Sequence, residues 1–448
     1  MNKRLLIITT SFAPENEIGS VRMTKLTKYL VRLGYDITVV SPELHEISRI
    51  DNSLLSKEIR SIKKYNISQS SWFIKIFLKK RNTMLKKQSA SNYIKPKQGG
   101  NNIQVLKAFI YSHLQFLYTI IRNLDWKRKV VGFIKDNFIE SQFDIVLSSY
   151  PSLASHWSAN WVRKNNIAKI WLADFRDPIN YEINSSWLKL KINTYFQNKI
   201  LNQADYATCV SVDLFKKFNS RYHYKLKYLP NGFDNEDLES DLCDSKSDEN
   251  KLKLTFCYVG SLYGGARNLC SFFKAINSMK TEDSFNIDTI KLIYAGKEFE
   301  ELYRQASEFN LTSILENKGS VSRSESIKIQ NCSDVIVVVT WNTEKDQGIL
   351  TGKLFECFLT KTIVLGIVNG NVPKSEFKNI ITRVNGGFSI EDSSLEYEKE
   401  FDDLKSFIYQ KVIEKQKTRY VSSQYNANVE EFNYKNITLQ LSSYFNKN

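Results

Sequence analysis

Short, almost unbroken apolar runs recur along this 448-residue chain, each followed by a stretch with helical spacing of its apolar positions. In the first half the runs are LLIITT, DITVVSP, FDIVLSS, AKIWLADF and ADYATCVS. In the second they are KLTFCYVG, TIKLIYAG, ILENKG, DVIVVVT and KTIVLGIV. A strand wet on one face alternates apolar and polar residues; a run without alternation is covered on both, as in parallel sheets flanked by helices. Two such series predict two doubly wound α/β domains rather than one large barrel. Between them, YLPNGFDNEDLESDLCDSKSDEN opens on a Pro-Asn-Gly turn and continues as an acidic tract without apolar periodicity, which reads as a connection. The expected divisions are 1–230 for the first domain, 231–250 for the linker, 251–425 for the second domain and 426–448 for a terminal helix.

One segment, 55–129, breaks the rhythm. Between Lys57 and Lys129 stand seventeen Lys/Arg against two Asp/Glu, which equals the whole chain's net charge of +15. SWFIKIFLKKRNTMLKK mixes aromatics with lysine, and IQVLKAFIYSHLQFLYTIIRNLDWKRK is apolar but interrupted by Gln104, Lys107, His113 and Gln115. Buried polar residues are costly in a bilayer, so an interfacial helix, or one packed on the domain, is expected rather than a spanning one. The charge suits an anionic membrane surface or another polyanion. The six cysteines form no C-x-x-C pair and no secretion signal is recognisable, favouring free thiols in a reducing cytoplasm. The acidic tract fits no calcium loop, and no metal is expected.

The candidate chemistry lies where strands hand over to helices. FAPENEIGSVR follows the first strand and carries Gly19 and Arg22 into a helix start, a place that attracts anions. It contains neither G-x-G-x-x-G nor the P-loop pattern. Asp174, Arg176 and Asp177 in ADFRDP follow another strand, and His156 lies in the helix that Pro151 opens. In YVGSLYGGARNL a glycine-containing loop with Gly260, Ser261, Gly264 and Gly265 leads to Arg267.

The order of SFAPENEIGSVRMTKL, WLADFRDP, YLPNGFD, YVGSLYGGARNLCSFFKAI and GKLFECFLTKTIVLGIV resembles the retaining GT-B glycosyltransferases, specifically the family 4-like enzymes (glycosyl transferase group 1). The resemblance implies a fold of two Rossmann-like domains facing across a cleft, with a terminal helix crossing back to the first. It implies a nucleotide-diphosphate sugar as donor, bound mainly by the second domain, and no cofactor or metal. Arg267, with Lys297 or Lys353, would neutralise the departing diphosphate, and His156 would meet the sugar or acceptor. Gly19, Arg22, Gly260, Ser261, Gly296, Gly352, Leu354 and Glu356 would hold the donor, Glu356 gripping the ribose diol. Asp174, Arg176 and Asp177 would serve the acceptor side. Two departures stand out: Gly348 occupies the place of the family's first glutamate, and Ser261-Leu262 stands where a loop arginine is usual. The resemblance also implies a saccharide or lipid-linked acceptor in bacterial capsule, O-antigen or exopolysaccharide synthesis, at the cytoplasmic face of the inner membrane. A non-hydrolysing sugar-nucleotide epimerase, a catalytically degenerate GT-B partner protein and a polyanion binder are the alternatives. No specific nucleic acid is expected.

Overall fold

A computed structural model of the protein describes residues 3–15, 18–44, 50–70, 102–139, 142–177, 179, 186–238, 252–280 and 285–445. The basic cluster Lys79, Lys80, Arg81, Lys86 and Lys87 and the acidic tract after Leu238 lie outside them. The chain forms two compact units, one of residues 1–210, 214–229 and 438–448, the other of 211–213 and 230–437.

In the first unit, β1 (Arg4–Ile8), α1 (Ile18–Arg32), β2 (Asp36–Pro42), α2 (Lys57–Ser61) and β3 (Lys63–Ile67) come first. The long helix α3 (Asn102–Phe138) follows, then β4 (Phe143–Ser149), α4 (Leu153–Lys164) and β5 (Ala168–Phe175). The series closes with α5 (Trp187–Gln203), β6 (Tyr206–Cys209), α6 (Val212–Lys217), whose start belongs to the other unit, and β7 (Leu226–Tyr228). The seven strands are parallel, in the order β3-β2-β1-β4-β5-β6-β7. Ile7 pairs with both Val39 and Leu147, so the apolar runs stack in register at the sheet's centre.

The second unit has β8 (Leu254–Val259), α7 (Cys270–Lys280), β9 (Ile290–Ala295), α8 (Phe299–Ser307), β10 (Leu315–Asn317), α9 (Arg323–Asn331) and β11 (Val335–Trp341). Then come α10 (Gly352–Thr360), β12 (Ile363–Asn369), α11 (Glu376–Val384), β13 (Gly387–Glu391) and α12 (Tyr397–Thr418). Its six parallel strands run β10-β9-β8-β11-β12-β13. Successive side chains go to opposite faces: Phe256, Leu292 and Val337 pack under α7 and α12, whereas Cys257, Ile336 and Val338 meet α10 and α11. Both faces are therefore covered, which explains why these strands read as continuous apolar runs.

The last helix, α13 (Tyr434–Phe445), begins in the second unit, where the Tyr434 amide donates to Phe233 O (2.8 Å). Its end belongs to the first: Tyr35 and Ser442 share a hydroxyl bond of 2.8 Å, and Lys3 Nζ donates to Phe445 O (2.8 Å). The chain therefore has the α/β fold of two Rossmann-like units with a terminal helix returning to the first. Cys209, Cys257, Cys270 and Cys357 are free, but Cys332 is disulfide-bonded, which corrects the expectation of free thiols throughout. Among the described residues no helix is long and apolar enough to cross a membrane, and no cluster of His, Cys, Asp and Glu could hold a metal ion.

Candidate functional site

Each sheet follows the order 3-2-1-4-5-6 from its own first strand, so each has a switch point where neighbouring crossovers leave in opposite directions. Ligands of open α/β sheets collect there, beyond the carboxyl ends of the strands. In the second unit that point lies between β8 and β11, and three expected residues, Gly260, Ser261 and Arg267, stand on the loop that leaves β8.

The loop is built by backbone conformation. Gly260 has φ +143, and Tyr263, Gly264 and Gly265 follow one another at φ +52, +63 and +92. Left-handed residues in succession suit glycine and are rare for tyrosine. The buried Tyr258 hydroxyl donates to Ser261 O (2.8 Å) and holds the turn against the strand. Burial pushes the Tyr258 phenol up, and the neighbouring Arg267 pulls against that shift. The guanidinium of Arg267 lies 4.6 Å from the Tyr263 ring centroid and 5.0 Å from that of Trp341, the last residue of β11. Arg267 Nε and Trp341 Nε1 are both buried without a hydrogen-bond partner. Aromatic faces fix a cation without neutralising it.

Glu298, which sequence reasoning passed over, sits directly against this loop. Its carboxylate accepts from the amides of Leu262 (2.8 Å), Tyr263 (3.2 Å) and Gly264 (2.8 Å), and from Ser261 Oγ. Burial would raise its pKa, but the Ser261 hydroxyl and the three amides outweigh that and hold it below the ordinary value. The available signal was position: Glu298 follows β9 in YAGKEFEEL, beside the expected Gly296 and Lys297. Gly296 allows close approach, since a Cβ there would overlap Gly260 O and the Tyr294 hydroxyl. Lys297 is exposed.

Around α10 the remaining residues expected to hold a donor gather. Gly352 opens the helix, Leu354 is fully buried in the core, and Glu356 lies one turn in. Glu356 Oε2 accepts from Lys353 Nζ (2.6 Å) and Gln330 Nε2 (2.7 Å). Burial alone would raise the Glu356 pKa; the Lys353 charge and these bonds bring it below the usual value. Lys353 also donates to Ser326 Oγ (3.0 Å), so its charge is committed to Glu356, leaving Arg267 and Lys297 as the less engaged cations. Gly348 has φ +74. A glutamate would be strained on that backbone.

In the first unit several expected ligand residues support one another instead. Arg22 is fully buried; its Nε and Nη2 meet Asp174 at 3.2 and 2.9 Å, and Nη2 also donates to Leu229 O (3.0 Å). Asp174 further accepts from Ser149 (3.0 Å) and Thr208 (2.8 Å). Its burial raises the pKa, but Arg22 and the hydrogen bonds leave it below the usual carboxylate value. Gly19 lies in the first turn of α1, and a Cβ there would overlap the Arg176 guanidinium, whose Nε donates to Tyr150 O (2.8 Å). The glycine thus admits an arginine against the helix. Asp177 is exposed, yet crowding by protein raises its pKa, Arg176 opposing and Asp174 reinforcing the shift.

His156 corrects the expectation of a catalytic histidine. It is fully buried among Tyr150, Trp171 and Phe175, its Nδ1 sharing a 2.8 Å bond with Ser148 Oγ. Burial lowers its pKa to about 3 despite the opposing Asp174 charge. It is a neutral core residue.

No family model matches the chain, and no curated protein does. Solved structures do. The chain is similar to the sucrose-phosphate synthase of Thermosynechococcus elongatus (11% identity, TM-score 0.61), covering 100% of this chain and 99% of that one. It is similar to the lipopolysaccharide outer core galactosyltransferase WaaB in its apo form (12% identity, TM-score 0.54, 99% and 100% covered). A UDP-N-acetylglucosamine 2-epimerase also matches over 100% and 98% of the two chains, at 11% identity and a TM-score of 0.50. At such identities the likeness is one of architecture, and with two doubly wound units and a returning terminal helix it is decisive on that point: the chain has the GT-B glycosyltransferase fold.

Proposed function

We propose that the protein is a glycosyltransferase that moves a sugar from a nucleoside diphosphate to an acceptor hydroxyl, with the donor held by the second unit. The observation that carries this reading is Arg267: a guanidinium fixed by two aromatic faces at the β8/β11 switch point, its Nε without a partner. In the proposed step the acceptor oxygen bonds to the anomeric carbon as the bond to the β-phosphate breaks. The acceptor proton passes to the departing phosphate oxygen. Arg267, assisted by Lys297, stabilises the charge growing on that diphosphate. Retention of configuration and the grip of Glu356 on the ribose diol follow the family resemblance.

The acceptor we propose is lipid-linked, reached at an anionic membrane surface. On α3 the side chains of Ile110, Leu114, Leu117, Ile121 and Leu124 are exposed at alternating spacings of four and three, which aligns them on one helical face. Trp187, Leu188 and Leu190 of α5 are also exposed. His113 of α3 meets Ser186, just before α5, at 3.0 Å, so the two apolar surfaces are neighbours. Five Lys/Arg against two Asp/Glu over residues 110–138 of α3, and the exposed Lys191 and Lys199 with no acidic residue on α5, complement anionic headgroups.

Calorimetric titration of UDP and GDP into wild type, Arg267→Ala and Glu356→Ala tests the donor site. Binding of at least one nucleotide, weakened tenfold or more by Arg267→Ala, is the expected result, a charge-assisted bond contributing about 1.5–3 kcal/mol. Absence of nucleotide binding removes the assignment. The epimerase reading has the likeness just given in its favour, and formation of an epimer from UDP-sugars without acceptor would select it. All four histidines of the chain fall in the sequence of the first unit.

A further inference from the structure

The β8 loop already holds an anion, and that anion is part of the chain. Three consecutive amides, those of Leu262, Tyr263 and Gly264, point at the Glu298 carboxylate together with the Ser261 hydroxyl. Successive left-handed residues at 263–265 curl the backbone so that these N–H groups converge, which makes a concavity suited to any small oxyanion. The fit is not a general feature of a helix start. Glu298 is the residue before α8, yet its side chain makes no bond to its own helix and reaches across to the loop instead.

Two features make the carboxylate an incomplete match for what surrounds it. No lysine or arginine among the described residues pairs with Glu298, which is held by amides and one hydroxyl alone. Arg267 lies on the same loop, and its charge and that of Glu298 both act on the Tyr258 phenol, yet its Nε is unpartnered. A phosphate would accept the same amide bonds and, through a further oxygen or a second phosphate, engage Arg267 as well. Glu298 is only half-buried, so its carboxylate has a short way to water, where it is rehydrated, when it leaves.

We propose that the amides of residues 262–264 form a phosphate-binding subsite and that Glu298 is its internal placeholder, which withdraws when a phosphate of the donor enters. This inference rests on the nucleotide-sugar reading for the identity of the ligand, but the subsite itself is defined by an anion and can be probed by one. Exchange of one oxyanion for another keeps the loop in its binding shape, so the ligand meets an organised site.

Inorganic pyrophosphate, UDP and GDP are titrated calorimetrically into wild type, Glu298→Gln, Glu298→Ala and, as a charge control, Glu300→Gln, an exposed neighbour on α8. A placeholder filling the site about nine-tenths of the time lowers apparent affinity about tenfold. Both Glu298 variants should therefore bind pyrophosphate about tenfold more tightly, and Glu300→Gln no more than about twofold. Melting curves identify a variant whose loop has collapsed, and Glu298→Gln, close in shape, guards against that loss. Pyrophosphate affinity unchanged or weakened in folded Glu298 variants overturns the inference, leaving Glu298 as fixed scaffolding. If nucleotides bind wild type in that case, the donor reading survives. If pyrophosphate binds the variants more tightly but neither nucleotide binds any protein, the subsite stands and the donor reading falls.

Discussion

Two buried charged or titratable side chains in the first unit are held in different ways, Asp174 by an ion pair and His156 as a neutral ring. Asp174 is paired with Arg22 and further satisfied by Ser149 and Thr208. Removing one partner of a buried pair leaves the other uncompensated, at a cost of about 3–5 kcal/mol. Asp174→Asn should therefore lower unfolding free energy by an amount in that range, measured by urea titration at pH 7.5. His156 has no such partner, and burial lowers its pKa to about 3. The unfolded chain, with histidine near 6.5, binds a proton that the folded protein refuses. Stability is then full above about pH 6.5 and declines by up to about 1.4 kcal/mol per pH unit toward pH 3. Urea titrations from pH 7.5 to 5 should show this slope in wild type and lack it in His156→Gln. An equal slope in both proteins would mean that the ring is accessible when folded.

At the scale of elements, what the sequence concealed has a common cause. The strands it did not reveal, β3, β7 and β13, are all at sheet edges. β3 reads KKYNI, with no residue fully buried, and β7 is three residues long. An edge strand has one neighbour and more contact with water, so it needs no continuous apolar run. The central strands, buried on both faces, were legible from their runs alone. The candidate site divides similarly: Arg267 and the glycine loop were legible because loop chemistry is local, whereas the Glu298 bond to residues 261–264 spans over thirty positions and leaves no local pattern. The contacts of Gly19 and Arg22 with Arg176 and Asp174 span far more of the sequence and were no more legible. The exposed stripe on α3 gives a prediction at this scale. Leu114→Asn, Leu117→Asn and Ile121→Asn together alter only exposed positions, where substitutions are usually worth within ±0.5 kcal/mol each. The triple variant should melt within a few degrees of wild type but fail to co-float with anionic phosphatidylglycerol vesicles. Co-flotation equal to wild type would remove α3 as the membrane-facing element.

For the whole molecule, the two units repeat one strand order but differ in chemistry at the switch point. In the first, expected ligand residues are tied into an interior network; in the second, an arginine is held against two aromatic rings with its Nε unpartnered. The asymmetry favours the second unit as the donor site, and tryptophan placement makes that testable without a labelled ligand. Of the seven tryptophans, six fall in the sequence of the first unit and only Trp341 in that of the second. Trp341 packs on Arg267 at 5.0 Å, with the Tyr263 ring 5.4 Å away. A diphosphate drawn to Arg267 changes the field at that indole directly, so saturating nucleoside diphosphate should alter the protein's emission. Trp341→Phe keeps an aromatic face for the guanidinium, and calorimetry should find its nucleotide affinity within a few-fold of wild type while the emission change disappears. If the change persists in Trp341→Phe, the nucleotide is sensed by tryptophans of the first unit and the donor has been assigned to the wrong half of the chain.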